Sequence, residues 1–282
     1  MTSEVRAHLT RSRYGDAMSE LAARPRVGPL LRDWRQRRRL SQLDLAVGAG
    51  VSARHVSFVE TGRAQPSREM VLHLAEELEV PLRERNHLLL AAGYAPVYGE
   101  RPLDDPDMAA VREALDLVLR GHEPYPAVVV DRGWDVVAGN RANPVLLDGC
   151  APELLAPPLN ALRVSLHPEG MAPRIRNLGA WRAHLLERVD RQIALTGDAA
   201  LATLRAELAA YPAPGHSGPT ETIGDIAVPL HIRSAAGAEL RFFSTIATFG
   251  TAVDVTVAEL SIESFFPADA ATAAAMRDAV PI

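Results

Sequence analysis

The sequence predicts an α+β protein, with an all-helical N-terminal part and a C-terminal part in which a β-sheet is combined with helices. Three observations support this fold class. Apolar residues recur at helical spacing through residues 28–92. Two β-branched runs flank a turn within residues 127–138, a pattern typical of a β-hairpin. Three further β-rich runs lie between residues 226 and 265.

The helical part divides into five segments at capping and turn residues. Ser41 and Ser52 each precede a segment by one residue, as N-caps do. Gly48 and Gly50 lie where the second segment ends, and Pro81 lies at the first turn of the fifth. The five predicted helices span residues 29–39, 42–48, 53–61, 68–78 and 82–91.

The C-terminal part begins with a helix at 106–120, after which the hydrophobic period changes. The predicted order is strand, strand, helices and then three strands, which makes five strands in all. The helices are expected at 140–147, 152–156, 160–166, 177–196 and 199–210, and the last three strands at 226–233, 239–249 and 255–265.

Composition predicts four parts along the chain. Residues 1–26 are polar and Arg-rich, which indicates a flexible arm. The helical domain spans 27–93, and the Pro- and Gly-containing stretch 94–104 is a linker. The second domain spans 105–275.

Charge is distributed unevenly over the 282 residues. The net charge is −5, yet residues 26–63 hold eight Arg against three acids. All 30 basic residues are Arg, for which codon bias is the simpler explanation. A basic patch on an acidic protein favours a binder that contacts nucleic acid with one face only.

Several classes of protein are disfavoured by the sequence. Cys150 is the only cysteine, so a disulfide or a cysteine-rich zinc site is not expected. No apolar run is long enough for a membrane span, and the first residues lack the apolar core of a secretory signal. We therefore expect a cytoplasmic protein without a membrane partner.

Residues 41–67 have the spacing of two short helices that cross at a tight turn, formed by Gly48-Ala49-Gly50-Val51. A helix that follows such a turn can lie in the DNA major groove. An Arg-rich amphipathic helix alone would more simply be a solvated face. The combination favours DNA binding: Gln42-x2-Leu45-Ala46, Gly50-Val51-Ser52, Ser57-x2-Glu60-x-Gly62-Arg63 and Pro66-Ser67.

The residue types on the second of these helices suit base and phosphate contacts. Arg54 can grip a guanine or a phosphate with two hydrogen bonds. His55 and Ser57 can donate to base edges or backbone, and Phe58 can pack on a thymine methyl or belong to the core. Gln42 can reach the backbone or an adenine edge. The expected phosphate contacts are Ser41, Thr61, Arg63 and Arg38.

In order and spacing, these residues resemble the Cro/CI-type (XRE-type) helix-turn-helix family over about residues 28–92. The resemblance implies a five-helix bundle that binds palindromic operators as a homodimer. It places six residues near bases or adjacent phosphates: Gln42, Ser52, Ala53, Arg54, His55 and Phe58. Glu60 falls at the position of a structural acid that can pair with an Arg of the first helix.

No catalytic residues are predicted in the second domain. Its histidines are scattered, and it contains no HExxH, GxSxG or phosphate-binding glycine loop. No metal or cofactor is expected.

The second domain resembles the MmyB-like ligand-binding domain over about residues 105–275. The stretches that carry the resemblance are 126–140, 162–175 with Trp181-Arg-Ala-His184, 243–251 and 262–267. The resemblance implies a PAS-like fold, in which a five-stranded antiparallel sheet and helices enclose a cavity for a small apolar ligand.

If the ligand is an acid with an apolar tail, such as a fatty acid, it needs a polar anchor at one end of the cavity. The candidate anchors are Arg163, His167, Arg174 and Asn177, although these could equally cap short helices. Trp134, Met171 and Trp181 are the expected wall residues.

The sequence thus predicts a one-component transcription regulator, with double-stranded DNA and a small effector as partners. One alternative is a DNA-binding protein whose second domain serves only dimerisation, with a filled core. A remoter alternative is an enzyme tethered to DNA, which would need a buried carboxylate or His beside a nucleophile.

Overall fold

The computed structural model describes residues 26–212, 228–235 and 237–281. The chain divides into two compact units, Met1–Tyr98 and Gly99–Ile282. The predicted arm at 1–26 lies outside the described residues except for Arg26. The α+β fold class is confirmed, since the first unit is helical and the second combines a five-stranded sheet with helices.

The first unit contains five described helices, and their bounds follow the capping residues. Ser41, Ser52 and Ser67 each accept a hydrogen bond from the backbone N–H three residues on. Ser41 forms a full capping box, since the Asp44 side chain also accepts from the Ser41 backbone. The helices are α1 (Val27–Arg37), α2 (Gln42–Gly48), α3 (Ala53–Glu60), α4 (Arg68–Glu77) and α5 (Leu82–Ala91).

A buried ion pair ties α1 to α3 inside this apolar bundle. Arg35 Nε and Nη2 donate to the two carboxylate oxygens of Glu60 at 2.6 and 3.0 Å. Gln42 Nε2 donates to the same carboxylate at 2.8 Å, so α2 joins the network. Burial alone would raise the pKa of Glu60, but the bonds from Arg35 and Gln42 and the charge of Arg35 hold it below its ordinary value.

The second unit contains short helices, two long helices and five described strands. A 3₁₀ turn (Pro106–Met108) leads into α6, and another (Ala172–Arg174) precedes α10. The helices are α6 (Ala109–Gly121), α7 (Pro144–Leu147), α8 (Pro152–Leu155), α9 (Ala161–Leu166), α10 (Leu178–Thr196), α11 (Ala199–Ala210), α12 (Val255–Ala258) and α13 (Ala270–Ala279). The strands are β1 (Ala127–Val130), β2 (Val136–Gly139), β3 (Leu230–Arg233), β4 (Glu239–Thr248) and β5 (Ser261–Pro267).

The strands form one antiparallel sheet in the order β2-β1-β5-β4-β3. Side chains alternate between its two faces. Ala127, Val129 and Ile262 pack against α6, with Leu115 and Leu119. The opposite face, which includes Val130 and Phe265, packs with α9, α10 and α11 in the larger core. The central strand β5 therefore contributes to both layers.

One predicted strand is wrong in its first half. Residues 255–265 were expected to form a single strand, but Val255–Ala258 is a helix and β5 begins at Ser261. Asp254 caps this helix by accepting from Thr256 N at 2.9 Å. The Val-rich run resembled a strand because short-range pattern does not distinguish a buried strand from one helical turn.

The final helix, α13, is absent from the sequence prediction, which ended the domain at residue 275. The helix begins after Asp269, which accepts from Thr272 N at 2.7 Å. Its buried Met276 joins the main core.

Loss of the Glu60 carboxylate should destabilise the helical unit strongly. Glu60→Gln leaves the Arg35 guanidinium, whose side chain is 10% exposed, without its charged partner. We expect the free energy of unfolding of this unit to fall by about 3–5 kcal/mol, since removing one member of a buried ion pair leaves the other charge unpaired. Hydrogen exchange of the slowest amides of the first unit would measure it. In the same unit, Glu84→Gln alters the more exposed pair with His87 and should cost less than about 1 kcal/mol. Equal effects of the two substitutions would contradict the assignment.

Candidate nucleic-acid interface and ligand cavity

In the first unit, α2 and α3 are joined by a tight turn at the predicted glycines. Gly50 has a φ of +62°, a conformation that a side chain would strain. Val51 N donates to Ala46 O at 2.9 Å and closes the turn. Val56 and Val59 bury one face of α3 in the bundle. The opposite face of α3 is consequently available to a partner.

Two arginines share one aromatic ring on the outer side of α3. The guanidinium carbon of Arg54 lies 5.1 Å from the centre of the Phe58 ring, and that of Arg63 lies 5.9 Å away. Both arginines are exposed, whereas Phe58 is half-buried. Cation–π contact holds the two guanidinium groups near one surface. Planar guanidinium groups held in this way suit phosphate and guanine, which accept two parallel hydrogen bonds.

The second unit contains a partly open cavity of about 290 Å³ between the sheet and the helices. This is about twice the roughly 150 Å³ of an engineered apolar cavity that admits benzene. Most of the lining is aliphatic or aromatic. The lining residues are Val128, Trp134, Val136, Gly139, Asn140, Asn143, Leu146, Leu147, Leu159, Ala161, Leu162, Val164, Ser165, Met171, Trp181, Leu185, Leu230, Glu263 and Phe265.

Trp134 forms part of the wall in a strained backbone conformation. Its φ is +69°, which is unusual for a bulky residue and costs about 1–3 kcal/mol. Its indole Nε1 donates to Gln192 Oε1 at 2.9 Å. The Arg188 guanidinium lies 4.6 Å from its ring centre. These contacts from α10 hold the ring against the cavity.

Two polar groups on the wall are bound to neighbouring side chains. Ser165 Oγ accepts from Trp181 Nε1 at 2.9 Å. Glu263 Oε1 accepts from Arg188 Nη1 at 3.0 Å, and both of these side chains are less than 10% exposed. Burial and the charge of Arg188 lower the pKa of His184, which packs on Trp181. The wall thus contains a buried ion pair of which only the acid lines the cavity.

The family model for the MmyB-like transcription regulator ligand binding domain matches residues 111–279, more than half of the chain. The chain belongs to this family. A second model, for a helix-turn-helix domain, matches residues 26–88. Both predicted resemblances are therefore confirmed at the level of helix-turn-helix and MmyB-like domains, and the assignment to the Cro/CI-type class stays a prediction.

No curated protein matches the chain. Among solved structures, it is similar to one described as an RNA-binding light-oxygen-voltage receptor, with 12% identity, 98% of this chain covered, 67% of that chain covered and a TM-score of 0.26. That score is too low for the match to inform fold or function.

Several predicted DNA contacts of the helix-turn-helix domain lie on its outer surface. Arg54, Arg63 and Thr61 are exposed, and Thr61 Oγ1 donates back to Ser57 O at 2.7 Å. Ser41 and Ser52 are exposed as well, but their side chains cap α2 and α3. Ala53, Ser57 and Phe58 are partly buried.

Two other predicted contacts are engaged inside the domain, and a third is buried in it. Arg38 donates to Leu78 O at 2.8 Å and to Glu79 O at 2.9 Å, and so caps the C-terminal end of α4. Gln42 donates to Glu60, as described above. His55 Nε2 is buried without a hydrogen-bond partner among the described residues. In the folded domain, Arg38 and Gln42 thus make contacts that stabilise the fold. The sequence had predicted that both residues contact DNA.

The expected apolar wall of the MmyB-like domain is present, since Trp134, Met171 and Trp181 all line the cavity. None of the four predicted polar anchors does. Arg163 pairs with Glu207 at 2.8 Å. Arg174 donates to Leu146 O. The anchor prediction is wrong for this cavity because other polar groups of the fold already bind these side chains.

The remaining two anchors also bind other groups of the fold. Asn177 Nδ2 donates to Pro229 O at 2.7 Å, and Asn177 Oδ1 accepts from His231 N at 3.1 Å. His167 Nδ1 accepts from Glu169 N at 3.1 Å, and its ring packs edge-on against Tyr211. Asn177 precedes α10 but makes no side-chain capping bond to it, so its contacts do not match the alternative that these residues cap short helices.

Sequence reasoning missed Glu263 as a wall residue. A signal was available, because Glu263 alternates with Phe265 in a β-rich run and must share its inward face. An acid at an inward position is rare unless it is paired. Pairing with Arg188 could not be read from the sequence, since 75 residues separate the two.

Two further features were sought in the described parts of the chain, a metal-binding group and a membrane-spanning helix. Within them, no group of three or more His, Cys, Asp or Glu residues could hold a metal ion. No described helix combines the length and the apolar character needed to cross a membrane.

A close approach between Gly139 and Asn143 shapes one corner of the cavity. A Cβ at Gly139 would collide with Asn143 Nδ2. That amide is held in place by donating to Ala127 O at 2.8 Å and to Asn140 O at 3.1 Å.

Gly139→Ala should therefore destabilise the domain by about 1–3 kcal/mol through overpacking. Adding Asn143→Ala should cost less than the sum of the two single changes, with a coupling of about 1 kcal/mol. Urea unfolding of the four proteins in a double-mutant cycle measures this. Gly179→Ala is the control, because its new methyl group meets no atom within 4 Å. Strict additivity would show that the contact is unimportant.

Proposed function

We propose that this chain is a cytoplasmic one-component transcription regulator that binds a palindromic operator as a homodimer. In this proposal, α3 enters the major groove and Arg54 and Arg63 contact bases or phosphates. A small, predominantly apolar molecule binds in the cavity of the MmyB-like domain and changes the affinity for DNA. Fatty acids are the class of such molecules that the sequence suggested.

The observation that carries the proposal is the cavity. A domain used only for dimerisation has no need of an unfilled apolar volume, because voids in a core reduce stability. A volume of about 290 Å³ is close to the lower end of the range for small-molecule pockets. Its presence in a chain that also holds a helix-turn-helix domain supports a sensor with a DNA-binding output.

To regulate DNA binding, the ligand must have different affinities for two states of the protein. A ligand alters DNA binding only to the extent that it binds the DNA-competent state better or worse than the other state. By reciprocity, DNA must change the affinity for the ligand by the same factor.

Arg54→Ala tests the proposed recognition surface. A duplex enriched by the wild-type protein from a randomised pool serves as the specific site. We expect the substitution to weaken binding to that duplex by about 1–3 kcal/mol while binding to random duplex changes little. Fluorescence anisotropy at fixed salt measures both affinities, and its stoichiometry tests for two chains per duplex. Arg191→Ala, which removes an exposed arginine of α10, should change neither affinity. Equal losses on both duplexes would refute a base-reading role for Arg54.

A cavity-filling substitution tests the sensing role. Val136 lines the cavity, whereas its neighbour Val137 is 41% exposed. The wild-type protein is titrated with the enriched duplex, with and without medium-chain alcohols, esters and fatty acids. We expect at least one compound to change the DNA affinity of wild type and of Val137→Phe by about fivefold or more. Val136→Phe should lose this response because the new ring occupies the ligand volume.

If no compound in the panel changes the DNA affinity of the wild-type protein, the dimerisation alternative is favoured. If Val136→Phe responds as Val137→Phe does, the ligand acts elsewhere than in the cavity.

A further inference from the structure

The polar groups of the cavity wall restrict the chemistry of the ligand that the proposed function requires. Asn140 is fully used by the fold, since its Nδ2 donates to Leu119 O and Tyr125 O, and its Oδ1 accepts from Ala127 N. Asn143 Nδ2 is committed to two backbone carbonyls. Glu263 is the one ionisable side chain among the described residues of the lining.

No cationic side chain lines the cavity in the described part of the chain. Arg188 bonds to Glu263 and lies against the Trp134 ring, but it is not a lining residue. Arg163 and Arg174, which could have provided a cation, are bound to Glu207 and to Leu146 O. A ligand inside the cavity would therefore meet the acceptor of this pair and not its donor.

Glu263 is the one charged group among the described lining residues, and the other polar groups, Asn140, Asn143 and Ser165, already bond within the fold. A charged acceptor on such a wall selects ligands by head group. The carboxylate of a fatty acid would bring a second acceptor and a second negative charge against Glu263, with no cation facing it. A hydroxyl group instead donates a hydrogen bond to a charged acceptor, which is among the stronger kinds. Because Arg188 balances the charge of Glu263, the site does not require a cationic ligand.

We propose that the cavity binds an apolar molecule with a neutral hydrogen-bond donor, of the class of aliphatic alcohols, and that Glu263 accepts a hydrogen bond from its hydroxyl group. Ionised fatty acids are poor ligands of this cavity. The inference rests on the proposed function, since it assumes that the cavity is a ligand site. It goes further by naming the head group and the residue that reads it.

The wild-type protein provides the primary test without any substitution. Decanol, decanoate and decyl methyl ether share one alkyl chain and differ in the head group, and isothermal titration calorimetry measures their affinities for the full chain. We expect decanol to bind about tenfold more tightly than either of the others, the gain of one hydrogen bond to a charged acceptor. Decanoate binding as tightly as decanol would overturn the proposal.

Paired substitutions assign the preference to Glu263. Removing both members of a buried ion pair together avoids leaving one charge unpaired. In Arg188→Met/Glu263→Met, decanol and the ether should bind within about twofold of each other, while the ether retains its wild-type affinity. The matched control Arg163→Met/Glu207→Met removes an ion pair outside the cavity and should keep the tenfold preference. A preference that persists in the first double variant would overturn the role of Glu263.

The outcomes distinguish the two proposals. If none of the three compounds binds the wild-type protein, the cavity takes no apolar ligand and the proposed sensing function fails. If all three bind equally, the sensing function stands and the head-group inference fails. The wild-type series decides this even if a double variant does not fold.

Discussion

A guanidinium removed from water needs a carboxylate within hydrogen-bond distance, and each unit of this protein is organised around such a pair. Arg35 and Glu60 join α1 to α3 in the first unit, and Gln42 brings in α2. Arg188 and Glu263 join α10 to the central strand of the sheet in the second. Breaking either pair would leave a charge in a low-dielectric interior, so each pair fixes the placement of the elements that carry it.

The two pairs have different consequences for function. The first lies behind α3, the helix that we propose reads DNA, and sets its position against α1 and α2, while the outer face of α3 remains exposed. The second lies on the wall of a cavity that the surrounding aliphatic and aromatic side chains do not fill. In one unit the pair positions the proposed DNA-binding surface, and in the other it also supplies a polar group to the cavity wall.

Local patterns were sufficient for most elements. N-caps such as Ser41 and Ser52, and the glycine turn that follows α2, act within a few residues of where they occur, and the predicted helices of the first unit agree with the structure to within two residues. Sequence-local reasoning failed at residues 255–258, where a capped helical turn had a strand-like composition. It also failed for the polar anchors, because Arg163 and Arg174 are bound by groups far away in the sequence.

The sequence by itself determined most of the helices and strands, the basic stretch around residues 26–63 and the two families to which the parts are similar. These depend on short-range periodicity, capping and composition, which are present in the chain before it folds. Only the tertiary structure decided which polar side chains remain available to a partner. Arg38 caps a helix, Gln42 completes an ion pair and Glu263 reaches the cavity, because a buried polar group binds the nearest complementary group that the packing brings to it.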